Sequence, residues 1–307
     1  MSFSTFIFKA IDVIYDYPQN KRKPCKDKNK TVCVKKDIVY DNNKPDVCKF
    51  DFYYFSDKTN KEQPAIFEIH GGGFVAGDKK RRRGLCNWFV RNTNAVVINV
   101  NYSLAPSYKF PSAIYDLINA LNFIVDKAKE FNIDKNKIIV TGDSAGAYYA
   151  SILCAINNSE QYRSLLKCSP INTKILGCVL NCGLYDLQKV LSNKLIFNIS
   201  SHLIKDLLAT TIQQLPSHEF YQCLSPIPFM NSNFPSTFIT YSKKDIFCKG
   251  QGELLIDKLQ KLNINYKTYS TTNFKDNHAF PLTWNSKNAK ENNKLMLEFI
   301  NDLFKEK

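Results

Sequence analysis

A chain of 307 residues with 44% hydrophobic content can build one large core, and no run of about eighteen apolar residues exists to span a membrane. The formal charge of +14 comes from lysines spread along the chain beside frequent asparagines, without a nucleic-acid motif, so it reads as a solvated surface. Ten cysteines are scattered without a CxxC or metal-ligand spacing, and no basic leader precedes an apolar block, so a reducing, cytoplasmic setting is expected. Cys25, Cys33 and Cys48 form the one region where a disulfide would be sought.

In chain order, Phe3, Phe6, Ile7, Ala10, Ile11 and Ile14 recur at helical spacing and predict an amphipathic helix over 2–17, stopped by Pro18. This helix packs on the body, caps a site or touches a membrane. A lysine-rich loop leads to strands at 32–40 and 47–55, joined by a hairpin turn through 41–45, and a polar loop leads to a strand at 64–70. Then comes His70-Gly71-Gly72-Gly73. Six of the chain's eleven glycines (Gly71, Gly72, Gly73, Gly77, Gly142 and Gly146) lie in the loop 70–78 that this run opens and in the turn at 142–146, so a sparing chain spends glycine on backbone that must approach something closely. The basic run 79–83 opens a helix through Val90 and is expected to face water. Its alternative role is the rim of a pocket mouth, favouring anionic substrates.

A strand over 94–102, a helix over 112–131 led by Pro111, and a strand at 137–141 follow. The turn Gly142-Asp143-Ser144-Ala145-Gly146 leads into an apolar helix at 147–156, and a strand at 175–183 comes next. The stretch 184–234 has no strand signal and reads as an insertion over the C-terminal sheet edge. A strand at 236–242, a helix at 250–262, a strand at 264–270 and a helix at 287–304 complete the chain. Nearly continuous apolar strands alternating with helices predict an α/β fold whose parallel sheet is covered on both faces.

A strand, G-x-S-x-G and a helix in succession expose a serine hydroxyl at a helix N-terminus, where developing negative charge is favoured. A plain strand-end turn with a capping serine would carry the same pentapeptide, so the other residues must decide. A nucleophilic serine needs a base, and the base an orienting acid. Of four histidines, His70 sits in the glycine loop, His202 and His218 in the insertion, and His278 in a loop after the last strand. That position makes His278 the candidate base. Asp245, just after the strand at 236–242, is the candidate acid, with Asp276 and Asp257 as rivals. The Ala145 N–H and the glycine loop supply donors for an oxyanion.

His70-Gly71-Gly72-Gly73 together with Gly142-Asp143-Ser144-Ala145-Gly146 resembles the hormone-sensitive-lipase-like family of serine esterases. Tyr102-Ser103-Leu104-Ala105-Pro106, Lys109-Phe110-Pro111 and Asp116 look like the family's segment after its fourth strand. The resemblance covers roughly 64–304. It implies an α/β-hydrolase fold, with a mostly parallel central sheet of about eight strands, helices on both faces and a helical cap. Residues 1–307 would form one domain, capped by about 1–25 and 184–234. It further implies Gly72, Gly73 and Ala145 as oxyanion donors, with His70 and Gly71 shaping the loop. The order Ser144, Asp245, His278 is that of α/β-hydrolases. Three departures are Ala147 and Ala279 where glycine is common, and Ser103 where arginine is common, which removes a salt bridge.

The expected activity is hydrolysis of short- to medium-chain carboxylic esters, acetyl-type esters included, without metal or organic cofactor. An amidase such as an arylformamidase would use the same triad. A non-catalytic binding relative is the third reading, disfavoured because such relatives typically lose the histidine. The expected partner is a small-molecule ester, without nucleic acid or stable membrane insertion, and a homodimer is left open.

Overall fold

The computed structural model describes residues 2–21, 31–56, 61–192 and 198–305. Eight strands form one sheet: β1 (Val32–Val39), β2 (Lys49–Phe55), β3 (Gln63–Ile69), β4 (Val96–Val100), β5 (Ile133–Asp143), β6 (Ile175–Asn181), β7 (Ser236–Ser242) and β8 (Tyr266–Thr271). Their spatial order is β1-β2-β4-β3-β5-β6-β7-β8. The pairs β1–β2 and β2–β4 are antiparallel, and all others are parallel. The expected mostly parallel sheet of about eight strands is thus present.

Alternate side chains enter opposite layers, as the two-residue period of a strand requires. Ala65, Phe67 and Ile69 of β3 join one core with α3 (Ser112–Asp126) and α5 (Ala145–Asn158). Ile66 joins a second core with α2 (Arg83–Thr93) and α10 (Lys287–Lys305). Both faces are covered, so β4 is buried along its whole length. The edge strand β1 instead exposes Lys35 and Lys36, charges that discourage pairing with another chain.

Several sequence expectations are corrected. The first helix, α1 (Phe3–Lys21), continues past Pro18, because a proline near a helix end removes one hydrogen bond without ending the winding. The helix expected over 112–131 breaks at Lys127, whose N–H turns back to Phe123 and Val125, and resumes as α4 (Ala128–Phe131). A helix absent from the sequence reading, α6 (Glu160–Leu166), is capped by Ser159, which accepts from the Tyr162 N–H. Cys33 and Cys48 are free thiols, and Cys25 lies outside the described residues. The insertion contains α7 (Leu187–Ser192) and α8 (Ile199–Leu208), and α9 (Gln251–Lys261) follows β7. Helix α1 packs against α8, where Asp206 accepts hydrogen bonds from Ser2 and Ser4. No described helix is long and apolar enough to cross a membrane.

One acid sits in the α2 layer. Glu68 of β3 is 1% exposed, and neither carboxyl oxygen has a hydrogen-bond partner among the described residues. Burial, with Asp143 adding to it and Arg82 opposing, pushes its pKa up to about 8 from an ordinary 4.5. The folded state therefore holds a proton that the unfolded chain releases between these values. Stability falls as pH rises from about 4.5 to 8 and then levels. Glu68→Gln is expected to remove this slope and to exceed the parent's stability at pH 8 by on the order of 2–4 kcal/mol. Denaturant unfolding of both proteins across that range checks it; equal slopes would refute it.

Candidate active site

Strand β5 ends at Asp143, and α5 begins at Ala145, leaving Ser144 alone in the turn between them. Its φ of 54° and ψ of −119° are a strained pair for a residue with a Cβ. The turn closes because Gly146 has no side chain: a Cβ there would lie 2.0 Å from the Ile69 carbonyl oxygen. The Ser144 N–H donates to the Asn181 carbonyl at 2.9 Å, fixing the strained residue to β6.

The loops after β7 and β8 bring the other two candidates to this turn. His278 Nε2 lies 2.8 Å from Ser144 Oγ, and Nδ1 lies 2.9 and 3.1 Å from the two Asp245 carboxylate oxygens. Asp245 also accepts the Phe247 and Cys248 N–H groups at 2.8 Å each. Burial alone would lower the His278 pKa, but the Asp245 charge and hydrogen bond outweigh it and raise it. Burial likewise works against the Asp245 charge, yet His278 and the two backbone donors hold its pKa below the ordinary carboxylate value. The rivals are engaged elsewhere. Asp276 accepts from Asn288, and Asp257 pairs with Lys261 on the exposed face of α9. His202 lies against Phe3 of α1, while His218 contacts the Leu208 carbonyl.

His70 is a buried brace for the glycine loop. Its ring stacks on Tyr102 at 4.4 Å, its Nδ1 donates to the Gly71 carbonyl at 2.8 Å, and the Tyr102 hydroxyl donates to the His70 carbonyl at 2.6 Å. Burial drives its pKa down to about 4, so the ring is neutral near pH 7. Gly72 and Gly73 line a cavity with Ser144 and His278. Gly73 takes φ of 60°, and a Cβ on it would strike the Phe8 ring of α1 at 2.5 Å. Ala145 stands at the start of α5, beside Ser144.

The basic run is split: Lys80 and Arg83 face water as expected, and two of its five cations do not. Lys79 and Arg82 are buried, 6% and 3% exposed. Arg82 grips Asp143, the residue before the serine, through Nε at 2.6 Å and Nη2 at 2.8 Å. Asp143 also accepts the Gly71 N–H at 3.3 Å, joining the serine turn to the glycine loop. Asp12 of α1 approaches Arg82 at 3.8 Å and Arg81 at 3.4 Å, and Asp16 pairs with Arg81 at 3.1 Å. Lys79 pairs with Asp51 and Asp37. Arg82 does border the cavity, but its charge is matched by Asp143, which leaves no open anion receptor. Phe8 and Asp12 were missed as site residues in the sequence, and Arg82 was reached only through the alternative that the run borders a pocket mouth. The available signal was Asp12 and Asp16, one helical turn apart and opposite in sign to the run at 79–83. The arginine missing at 103 is replaced in space: Lys44 pairs with Asp116, reaches Ser103 Oγ at 3.2 Å, and Asp116 accepts the Ser103 N–H at 2.8 Å.

Two narrow cavities meet at Ser144, Gly73 and Phe8. One, of about 30 Å³, is bordered by Asp12, Arg82, Asp143 and His278. The other, of about 20 Å³, is walled by Leu184, Leu187, Val190, Leu203 and Phe247. Volumes of this size hold one or two waters.

The BD-FAE family model matches residues 50–259. A putative alpha/beta hydrolase, R526, of Acanthamoeba polyphaga mimivirus is 38% identical over 104 residues, covering 34% of this chain and 30% of that protein. Esterase LipI of Mycobacterium tuberculosis is 36% identical over 92 residues, covering 30% and 29%. The matched stretches thus span less than a third of these relatives. Among solved structures, esterase B of Lactobacillus rhamnosis superposes with a TM-score of 0.80 at 20% identity, over 98% of this chain and 95% of that one. A bacterial heroin esterase gives 0.76 at 19% identity, over 100% and 95%. These neighbours share the α/β-hydrolase fold. The resemblance to hormone-sensitive-lipase-like esterases carried by the two glycine motifs holds, and with more than half of its length matched the chain belongs to the BD-FAE family.

Proposed function

We propose that the chain hydrolyses carboxylic esters bearing short to medium acyl groups. The observation that carries this reading is the unbroken hydrogen-bonded line from Ser144 Oγ through the His278 ring to Asp245. His278 Nε2 takes the hydroxyl proton as Ser144 attacks the ester carbonyl, and Asp245 holds the ring with its Nδ1 proton directed away from the serine. The N–H groups of Gly72, Gly73 and Ala145 receive the charge that develops on the carbonyl oxygen. The imidazolium then gives its proton to the departing alcohol. Water enters, loses a proton to His278 and releases the acid from the acyl-enzyme.

The apolar cavity beside Ser144 takes the acyl chain. Helix α1 and the segment 184–234 act as the cap of a single domain spanning 1–307, and their closeness to the serine sets a short chain limit. The protein works on a small-molecule substrate in the cytoplasm.

With p-nitrophenyl esters from acetate to palmitate, kcat/KM is expected to peak at acetate or butyrate and to fall by at least about 100-fold by palmitate, the two narrow cavities offering no room for a long chain. Efficient palmitate cleavage would refute the chain limit. A folded protein inert toward every ester would refute the activity, and p-nitroanilides and formamides run beside the esters would reveal an amidase.

A further inference from the structure

The acid and base of the proposed triad share their surroundings with a thiol that the reaction does not use. Cys248 follows Asp245 by three residues. One ligand atom from each of Asp245, Cys248 and His278 lies within 4.8 Å of the others, and all three residues are buried. Cys248 also lines the apolar cavity that touches Ser144. The geometry points to a second use of these residues: an inhibitory site for a thiophilic divalent cation of the Zn2+ class, bound by Asp245 Oδ2, Cys248 Sγ and His278 Nδ1.

Zn2+ bound to oxygen, nitrogen and sulfur at about 2.0–2.3 Å places neighbouring ligand atoms about 3.2–3.9 Å apart. Closing a spread of up to 4.8 Å to these separations needs a shift of up to about 1.6 Å, which a rotation of the Cys248 side chain can supply. Asp245 is held for the task, because its Oδ1 accepts two backbone N–H groups and Oδ2 faces the ring. A carboxylate and a thiolate balance the two positive charges of the ion, so the buried site is neutral overall. A thiolate and an imidazole select Zn2+, Cd2+ or Co2+ over Mg2+ or Ca2+.

Proton bookkeeping explains why binding silences the serine. At rest, neutral His278 carries its proton on Nδ1, donated to Asp245, and Nε2 accepts from Ser144. A metal on Nδ1 takes that lone pair, and the imidazole's one proton resides on Nε2 instead. The thiol proton leaves to solvent. Nε2 then donates toward Ser144 Oγ and can no longer take its proton, so the base is lost while the fold is kept.

The inhibition rests on the roles proposed for Ser144 and His278, whereas the binding does not. The test uses the full chain after chelation, titrated with Zn2+ during hydrolysis of p-nitrophenyl acetate, and with Co2+ in an absorption cell. Each rate is normalised to the same protein's own chelated rate. The parent is expected to lose most of its activity and to recover with chelator. Cys248→Ser, or Cys248→Ala if the serine variant does not fold, should need at least about tenfold more Zn2+ for the same loss. Co2+ should give a thiolate charge-transfer band in the parent and in Cys168→Ser, and none in the Cys248 variants. Equal Zn2+ sensitivity of parent and Cys248 variants, an equal effect of Mg2+, or a parent without the Co2+ band would overturn the site. A parent inert toward esters that still shows a Cys248-dependent Co2+ band would keep the metal site and overturn the esterase reading.

Discussion

Ser144→Ala is expected to lower ester hydrolysis by about 10⁴-fold or more while leaving the unfolding midpoint almost unchanged. The substitution removes Oγ and its 2.8 Å hydrogen bond to His278 Nε2. It keeps a Cβ at the same strained φ of 54°, so the turn is neither relieved nor further burdened. Rates on p-nitrophenyl acetate and a thermal melt of the same samples separate the two effects. A variant within tenfold of the parent would place the nucleophile elsewhere. Asp245→Asn supplies the complementary reading through pH. The proposed reaction needs neutral His278, so the rate is expected to be lost as pH falls through its pKa, which Asp245 holds above the ordinary 6.5. Without that charge, burial dominates, and the acid limb of the residual activity moves to lower pH.

Arg82→Ala carries the largest expected stability loss, about 3–5 kcal/mol, because it strands the Asp143 carboxylate without its bidentate partner. Both side chains are almost wholly buried, at 4% and 5% exposure, so water cannot replace the guanidinium. The loss should shrink in the double variant Arg82→Met, Asp143→Asn, which removes the stranded charge along with its partner. Guanidinium or urea unfolding of the parent, Arg82→Met, Asp143→Asn and the double variant closes the cycle, with Arg82→Ala run beside them. A single-variant loss below about 1 kcal/mol, or a double variant as unstable as Arg82→Ala, would show that the pair does not bind the serine turn to the rest of the fold.

The sheet was readable because its strands are apolar on both faces and separated by turn residues, and β3, β5 and β7 start or end within a few residues of the sequence reading. Ser144, Asp245 and His278 could be singled out because each follows a strand on the same side of such a sheet. What the sequence hid were contacts whose chemistry is split between distant segments. The run 79–83 displays five cations, but only the fold reveals that Asp143, 61 residues on, claims one of them and that Asp12 approaches from α1. Charge alone predicts solvation, and burial reverses that when a partner arrives. The same logic hid Lys44, which supplies from a hairpin the cation that the segment after β4 lacks.

The seating of α1 bears on how the protein is made. The main partners of this helix among the described residues lie later in the chain: the turn over Lys79–Arg82, α2, α8 and the turn over Phe280–Thr283. Of the described helices α1 leaves the ribosome first, yet its seat is not finished until some 260 residues have followed it. A growing chain can carry Ser144 and its turn while Phe8 still has no completed surface to close against and His278 has not been added. Competence for the proposed chemistry thus waits for the segment that carries His278, and a product interrupted before that segment is expected to be silent.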